Sequence, residues 1–461
     1  MPKFDLIVIG SGPGGQRAAI QAAKAGKHVA VIEKCTALGG VCINTGTIPS
    51  KTMREAVLHL SGLHVQNFYG MDYRVKENIT MQDLVFRVQR VIENEVSVTH
   101  SQLQRNGVEV VRGTASFVSP TRVRIDGANG GFGELEADNI VIAVGTKPAE
   151  SDKVPFNHKT IINSDQILSM PRIPKSLIVV GGGVIGAEYC CMFAVLGVRV
   201  TLVEKRSRLL DFADGEMVEA LCYHLRDRRV TLRLNEGVSS VEETPDGKVI
   251  AWLDSKKKLL ADALLYAVGR QGNVDELNLA AAGLEADSRG RITVDKDYRT
   301  KQNNIYAVGD VIGFPSLASV SMEQGRIAAA RAFHIPAESD PANYPYGIYT
   351  IPEISFVGKT EEQLTSEDVP YEIGVAYFRE MARGQISGDV AGRLKIIFHR
   401  ETKALLGVHI IGDGASELLH IGQAVLALKG TVDYFVNTVF NYPTLAECYK
   451  AAAFNGLNRL G

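Results

Sequence analysis

The sequence lacks any apolar run approaching the roughly 18 residues of a membrane-spanning helix, and the expectation is a soluble, cytoplasmic protein. It also lacks an excess of either charge. Its 50 basic and 52 acidic side chains leave a formal net charge of −2, without the electrostatic footprint of a protein that binds nucleic acid or an anionic membrane. Cysteine is scarce: six residues without framework spacing argue against a disulfide-stapled secreted scaffold and fit a reducing compartment. None of the ten histidines falls in a metal-ligand spacing, so no metal site is expected. The apolar run from Phe4 to Ile9 is short, lacks a cleavage pattern and runs into glycines; it reads as a strand rather than a signal peptide. At 461 residues and 45% apolar side chains, the chain is globular and long enough for about two to four domains.

What the sequence does have is a repeat. An apolar strand from Phe4 to Gly10 feeds Gly10-Ser-Gly12-Pro-Gly14-Gly15, followed by an alanine-rich helix and a second strand, His28 to Ile32, closed by Glu33. The pattern recurs as a strand Ser176 to Gly181, the run Gly181-Gly-Gly183-Val184-Ile185-Gly186, a helix, and a strand Arg199 to Val203 closed by Glu204. Glu204 lies as far beyond Gly181 as Glu33 lies beyond Gly10. One GxGxxG is weak evidence; two, each after a strand and each with an acid about 20 residues on, predict two dinucleotide sites. Glycines let the backbone approach a pyrophosphate, the helix end supplies positive potential, and the acid accepts hydrogen bonds from ribose hydroxyls. The similar phrases Asn139 to Gly145 and Ala263 to Gly269 read as strands returning to their sheets. One dinucleotide fold is thus nested inside the other, and the fold class is α/β.

Residues 39–51, GGVCINTGTIPSK, together with Ile305 to Asp310 and Phe440-Asn-Tyr-Pro-Thr444, resemble signatures of the pyridine nucleotide-disulfide oxidoreductases. The resemblance spans essentially the whole chain. It implies two nested Rossmann-like domains plus a C-terminal α+β dimerisation domain, divided as 1–147 and 275–343 for FAD, 148–274 for NAD(P), and 344–461 for dimerisation. The implied FAD site comprises Gly10, Gly12, Pro13, Gly14, Gly15, Glu33, Lys34, Gly39, Gly40, Cys42, Lys51, Gly113, Ala115, Gly145, Asp310 and Ala318. The implied NAD(P) site comprises Gly181, Gly183, Val184, Ile185, Gly186, Glu204, Arg206 and Gly269. Lys51, on a helix, is implied to pair with Glu188 beside flavin N5, placing a fixed charge pair where a hydride arrives. A helix starting near Ala318 is implied to point its positive end at flavin N1 and C2=O.

Three departures from the family pattern bear on the reaction. Thr47 replaces the second redox cysteine, and a hydroxyl cannot exchange with a disulfide. Tyr442-Pro443-Thr444 replaces His-Pro-Thr, although Glu447 remains, and tyrosine is a poor proton donor to a thiolate near neutrality. Val184 stands where one branch has a tyrosine lid over the nicotinamide, which leaves the pocket open to exchange. Cys42 is expected to be structural or a flavin contact. Its pairing with Cys35 is not required by the spacing, and Cys190, Cys191, Cys222 and Cys448 read as core residues.

The implied activity is reversible hydride transfer between NADPH and NAD+ through FAD, by a ping-pong course in which each nucleotide visits the same pocket, in a homodimer or larger homo-oligomer. A disulfide reductase with an unusual thiol, a non-catalytic FAD-binding redox module, and an NAD(P)H oxidase or quinone reductase stay open as alternatives. Nucleotide preference turns on Glu204, whose charge opposes a 2′-phosphate by roughly 4 kcal/mol per pair of unit charges at about 4 Å and moderate dielectric. Lys205, Arg206 and Arg208 follow at once, and Arg206 can offset that repulsion bidentately.

Overall fold

The computed structural model describes residues 2–70, 73, 75–127 and 132–460. They form two compact units, each assembled from three stretches of chain: Met1–Met53, Val85–Glu150 and Gly269–Ser339 in the first, and Arg54–Leu84, Ser151–Val268 and Asp340–Gly461 in the second.

In the first unit the central strand Lys3–Ile9 lies parallel to Val29–Glu33 on one side and to Phe132–Ile142 on the other. Glu109–Arg112 extends the sheet parallel beyond Val29–Glu33. On its other edge the long strand Phe132–Ile142 serves two neighbours. Its later part pairs with the parallel strand Ile305–Ala307, while its earlier part joins the antiparallel strands Arg122–Asp126 and Thr114–Ser119. Leu6 and Val8 pack with Ala18, Ala19 and Ala22 of the helix Pro13–Lys24. Ile7 and Ile9 point into a second core with Ile140 and Phe117. Burial on both faces explains why residues 6–9 of the strand are uninterruptedly apolar.

Two boundaries differ from the sequence expectation. The first strand stops at Ile9 because Gly10 turns to φ +102°. The second begins at Val29 rather than His28, whose N–H donates to the Asp5 carboxylate at 2.8 Å instead of joining the ladder. Thr146–Pro148 pairs antiparallel with Arg270–Gly272, so the chain leaves this unit after Glu150 and returns to it at Gly269 along one short ribbon.

The second unit repeats the parallel sheet in the order Thr231–Leu234, Arg199–Glu204, Ser176–Val180, Ala263–Tyr266, Ile161–Asn163. A three-stranded meander, Val238–Glu243, Val249–Leu253 and Lys258–Ala261, packs on it through Val241, Val249 and Ala251. The same unit contains a five-stranded antiparallel sheet ordered Tyr346–Ile348, Ile354–Gly358, Leu405–Ile411, Arg393–His399, Tyr371–Tyr377. The helices Ala415–Ala427 and Glu447–Leu457 close its core around Phe398, Phe435 and Tyr449. Among the described residues, no helix is long and apolar enough to cross a membrane.

Candidate functional site

The two glycine runs fold alike, bond for bond. Gly10 N–H donates to Ile32 O and Gly181 N–H to Val203 O, both at 2.8 Å, and φ is +102° at Gly10 and +108° at Gly181. A Cβ on Gly10 would lie 2.5 Å from the Ala143 carbonyl oxygen, and one on Gly181 would lie 2.4 Å from that of Ala267. A Cβ on Gly15 would lie 2.0 Å from Gly10 O, and one on Gly186 would lie 1.9 Å from Gly181 O. The protein itself therefore demands the first and last glycine of each run, the first for the turn and the last for helix packing against it.

The middle glycines differ in kind. On Gly12 the nearest atom to a Cβ would be 4.0 Å away, and on Gly183, among the described residues, nothing lies within 4 Å. Packing does not exclude a side chain there; close approach of a ligand would. Gly12 and Gly183 are also the N-cap residues of the helices Pro13–Lys24 and Val184–Val195, and among the described residues no side chain caps either. Elsewhere in the chain Asp214 and Thr360 cap their helices. An open cradle over unpaired helical N–H groups suits a pyrophosphate, so the residues present fit a dinucleotide at each run. In the first run Gly14 has a further role, since the helix Ala318–Ala332 crosses there and a Cβ on Gly325 would sit 2.0 Å from Gly14 O. Ile185 takes the place of Gly14 in the second run.

Each acid braces its own glycine run, which the sequence reading did not anticipate. Glu33 accepts from Ser11 N–H at 3.0 Å, from the Ser11 hydroxyl at 2.6 Å and from Cys35 N–H at 2.8 Å. Glu204 accepts from Gly182 N–H at 2.6 Å and Arg206 N–H at 2.8 Å, and also from Arg206 Nε at 3.1 Å and Nη2 at 3.0 Å. Burial pushes the Glu204 carboxyl up, but the bonds from Arg206 and Gly182 outweigh it and hold the group below its ordinary value. Arg206 is thus closed onto Glu204 and Asp211, where the sequence left it facing a phosphate. Lys34 directs its charge at Glu276, 2.6 Å away.

Around the first run, Gly39 N–H donates to the Ser11 hydroxyl at 3.0 Å, and a Cβ on Gly40 would lie 3.0 Å from Gly12 Cα. This packing places Cys42, on the short helix Gly40–Asn44, next to the cradle. Burial raises the Cys42 thiol pKa, with the Thr47 hydroxyl pulling more weakly the other way. Cys35 and Cys42 are both free thiols, so the bridge between them that the spacing left open is not formed. Thr47 opens the helix Thr47–Ser61, which carries Lys51, with Nζ 3.3 Å from the Ser50 hydroxyl.

Asp310 follows the strand Ile305–Ala307, its pKa raised by burial against the opposing charge of Arg270, and the Thr146 hydroxyl donates to it at 3.4 Å. The helix expected near Ala318 begins at Ala318, again without a side-chain cap among the described residues. Gly113 N–H donates to Glu33 O at 3.1 Å, while the Ala115 methyl lies in the core, which confines any ligand contact of Ala115 to its main chain. Gly145 and Gly269, at φ +63° and +142°, flank the paired ribbon.

In the second unit Glu188 is buried on the helix Val184–Val195 and accepts from Tyr349 N–H at 2.9 Å. The next carbonyl, Thr350 O, accepts from Arg54 Nε at 3.1 Å, and Arg54 also pairs with Glu353 at 3.2 Å. Sequence reasoning missed this bracing of Glu188's neighbours, and it missed Ser11 and Asp211. A hydroxyl at the second position of the first run was the one available signal. Asp211 belongs to no motif.

A model of the family described as pyridine nucleotide-disulphide oxidoreductase matches residues 4–325, and one of that family's dimerisation domain matches residues 344–453. The chain is 52% identical over 461 residues to the soluble pyridine nucleotide transhydrogenase of Mycobacterium tuberculosis (strain ATCC 25177 / H37Ra), covering 100% of this chain and 98% of the relative. It is 46% identical to the protein of the same name from Colwellia psychrerythraea, covering 99% and 98%. Among solved structures it is similar to LpdA of M. tuberculosis, with TM-score 0.91 and 27% identity over 100% of both chains. It is also similar to the HOCl-induced flavoprotein disulfide reductase RclA of Escherichia coli, with TM-score 0.86 and 27% identity over 98% of this chain and 99% of that one. Matched by the family model over most of its length and by such relatives from end to end, the chain belongs to the pyridine nucleotide-disulphide oxidoreductase family.

Proposed function

We propose that this protein is a flavoprotein that transfers hydride reversibly between NADPH and NAD+, the two nucleotides using the second cradle in turn, without a redox-active disulfide. The names of its relatives support the reaction. The observation that carries the mechanism is the pair of duplicated, uncapped cradles combined with threonine at position 47, which leaves Cys42 without a thiol partner five residues on. Bound FAD supplies the two-electron carrier between the two nicotinamides.

The protein's own contribution is binding and charge placement. The Gly12–Pro13 helix end takes the FAD pyrophosphate, Glu33 takes a ribose hydroxyl, and Asp310 faces the ribityl chain. The Ala318 helix end offers positive potential to the electron-rich edge of the ring. Lys51, on its helix, supplies a positive charge to the hydride-transfer step, and Glu188, held in place through Tyr349, supplies a carboxylate. Val184, small and at the first helical position, leaves the nicotinamide pocket open for exchange. Glu204 and Arg206 together admit both nucleotides, the carboxylate serving an unphosphorylated ribose and the guanidinium a 2′-phosphate. We assign segments 1–147 and 275–343 to FAD, 148–274 to NAD(P) and 344–461 to the contact within a homodimer.

Anaerobic stopped-flow spectroscopy tests the reading. NADPH should bleach the flavin absorbance of the purified protein and NAD+ should restore it, with Lys51→Met slowing both steps about a hundredfold. A long-wavelength thiolate-to-flavin band on two-electron reduction, or failure of NAD+ to reoxidise the reduced protein, would overturn it.

A further inference from the structure

A carboxylate has about four acceptor positions, and this limits what Glu204 can hold at one time. Two backbone N–H groups and two guanidinium nitrogens of Arg206 already take them. Glu33, by contrast, receives three donors and keeps room for a ribose hydroxyl. A ribose reaches Glu204 only after Arg206 has let go.

Arg206 has somewhere to go. Its Nη1 is bonded to Asp211 Oδ1 at 2.5 Å, and the two side chains are 43% and 46% exposed, which leaves the guanidinium free to pivot. The backbone around it is pinned. Arg208 Nη2 donates to Asp211 O at 2.6 Å and Ala213 O at 3.3 Å, while its Nη1 bonds Glu362 at 3.1 Å. Gly215 N–H donates to the same Glu362 oxygen at 3.0 Å. Asp214 is held at 2.7 Å by Lys395, which is fully buried and also bonds Glu361 at 2.6 Å. With the loop fixed, the choice between nucleotides falls to one side chain.

We infer that Asp211 is a specificity-determining residue that sets the balance between NAD(H) and NADP(H). It holds the guanidinium clear of Glu204 when an unphosphorylated ribose enters, and it competes with the 2′-phosphate for that guanidinium when NADP(H) enters. Both actions favour NAD(H), and Asp211's own negative charge acts in the same direction. The inference rests on the reading that the second cradle admits both nucleotides.

The test is equilibrium titration of the full-length, FAD-loaded protein with NAD+ and with NADP+ separately, at fixed ionic strength, so that no turnover occurs. Relative to wild type, Asp211→Asn should tighten NADP+ about threefold and weaken NAD+ about threefold, moving the ratio of dissociation constants about tenfold, within the reach of one exposed ion pair on each ligand. In an Arg206→Ala background the same change should move the ratio no more than about twofold, because no guanidinium remains to position and only the direct repulsion by Asp211 is lost. Asp211→Ser, run in parallel with a thermal melt, covers the case in which the amide variant misfolds. A ratio unchanged or shifted toward NAD+ in both Asp211 variants, while Arg206→Ala alone still weakens NADP+, overturns the role of Asp211 and leaves the two-nucleotide reading standing. Failure of the wild type to bind one nucleotide at all sinks that reading instead.

Discussion

The two dinucleotide folds share their turn glycines, their bond pattern and their acid, and they differ in what surrounds the acid. In the first copy Ser11 fills the space beside Glu33, and its hydroxyl joins that carboxylate to Gly39. In the second, glycine stands at position 182, where a Cβ would meet Leu209 at 2.5 Å, and an arginine supplies the missing donors from the other side. The first acid is thus held by a short hydroxyl locked in the fold, and the second by a long side chain that can leave. On the reading proposed above, the same scaffold keeps one ligand in place and exchanges the other. Charge anchoring differs likewise: Lys34 forms an exposed pair with Glu276, while the loop beyond Glu204 ends on the buried Lys395.

That contrast can be broken first at its anchors. Lys395→Met strands the buried Asp214 carboxylate and should cost about 3–5 kcal/mol in urea unfolding, whereas Lys34→Met should cost less than about 1 kcal/mol. Comparable losses would erase the distinction between them. Within the glycine runs the roles can be separated. Gly186→Ala drives a methyl into Gly181 O and should lower stability by about 3 kcal/mol. Gly183→Ala should leave the melting curve unchanged within about 0.5 kcal/mol and abolish nucleotide binding while the flavin spectrum persists. Retained nucleotide affinity in Gly183→Ala would remove the cradle from the argument.

The smallest effect is in pH. Because the Glu204 carboxyl is held below its ordinary value of 4.5, its contribution is present above that pH and is lost as pH falls through the depressed folded value. The melting-temperature gap between wild type and Glu204→Gln should therefore be constant near neutrality and close from about pH 4.5 downward. A gap independent of pH would mean the charge on Glu204 is not what Arg206 holds.

Much of this architecture is legible from the chain because its signals are local. The central strands, the glycine runs, the acids that follow them and the start of the Ala318 helix depend on residues within about one supersecondary unit. What escapes is set by distant partners. Nothing near position 208 foretells Glu362 or Lys395, which arrive from more than a hundred residues away. His28 reads as strand until Asp5 takes its N–H, and burial of the Ala115 methyl, which limits that residue to main-chain contacts, depends on core partners elsewhere in the sheet. Position 47 is informative for the opposite reason, since one atom type decides whether exchange chemistry exists at all.

The ribbon formed by Thr146–Pro148 and Arg270–Gly272 gives the inserted segment a single doorway. Residues that depart and return side by side leave the host strands Phe132–Ile142 and Ile305–Ala307 adjacent whatever lies beyond the threshold. On the reading proposed above, nucleotide choice can then be tuned one side chain at a time inside the guest, while the pairing of the host strands stays as it is.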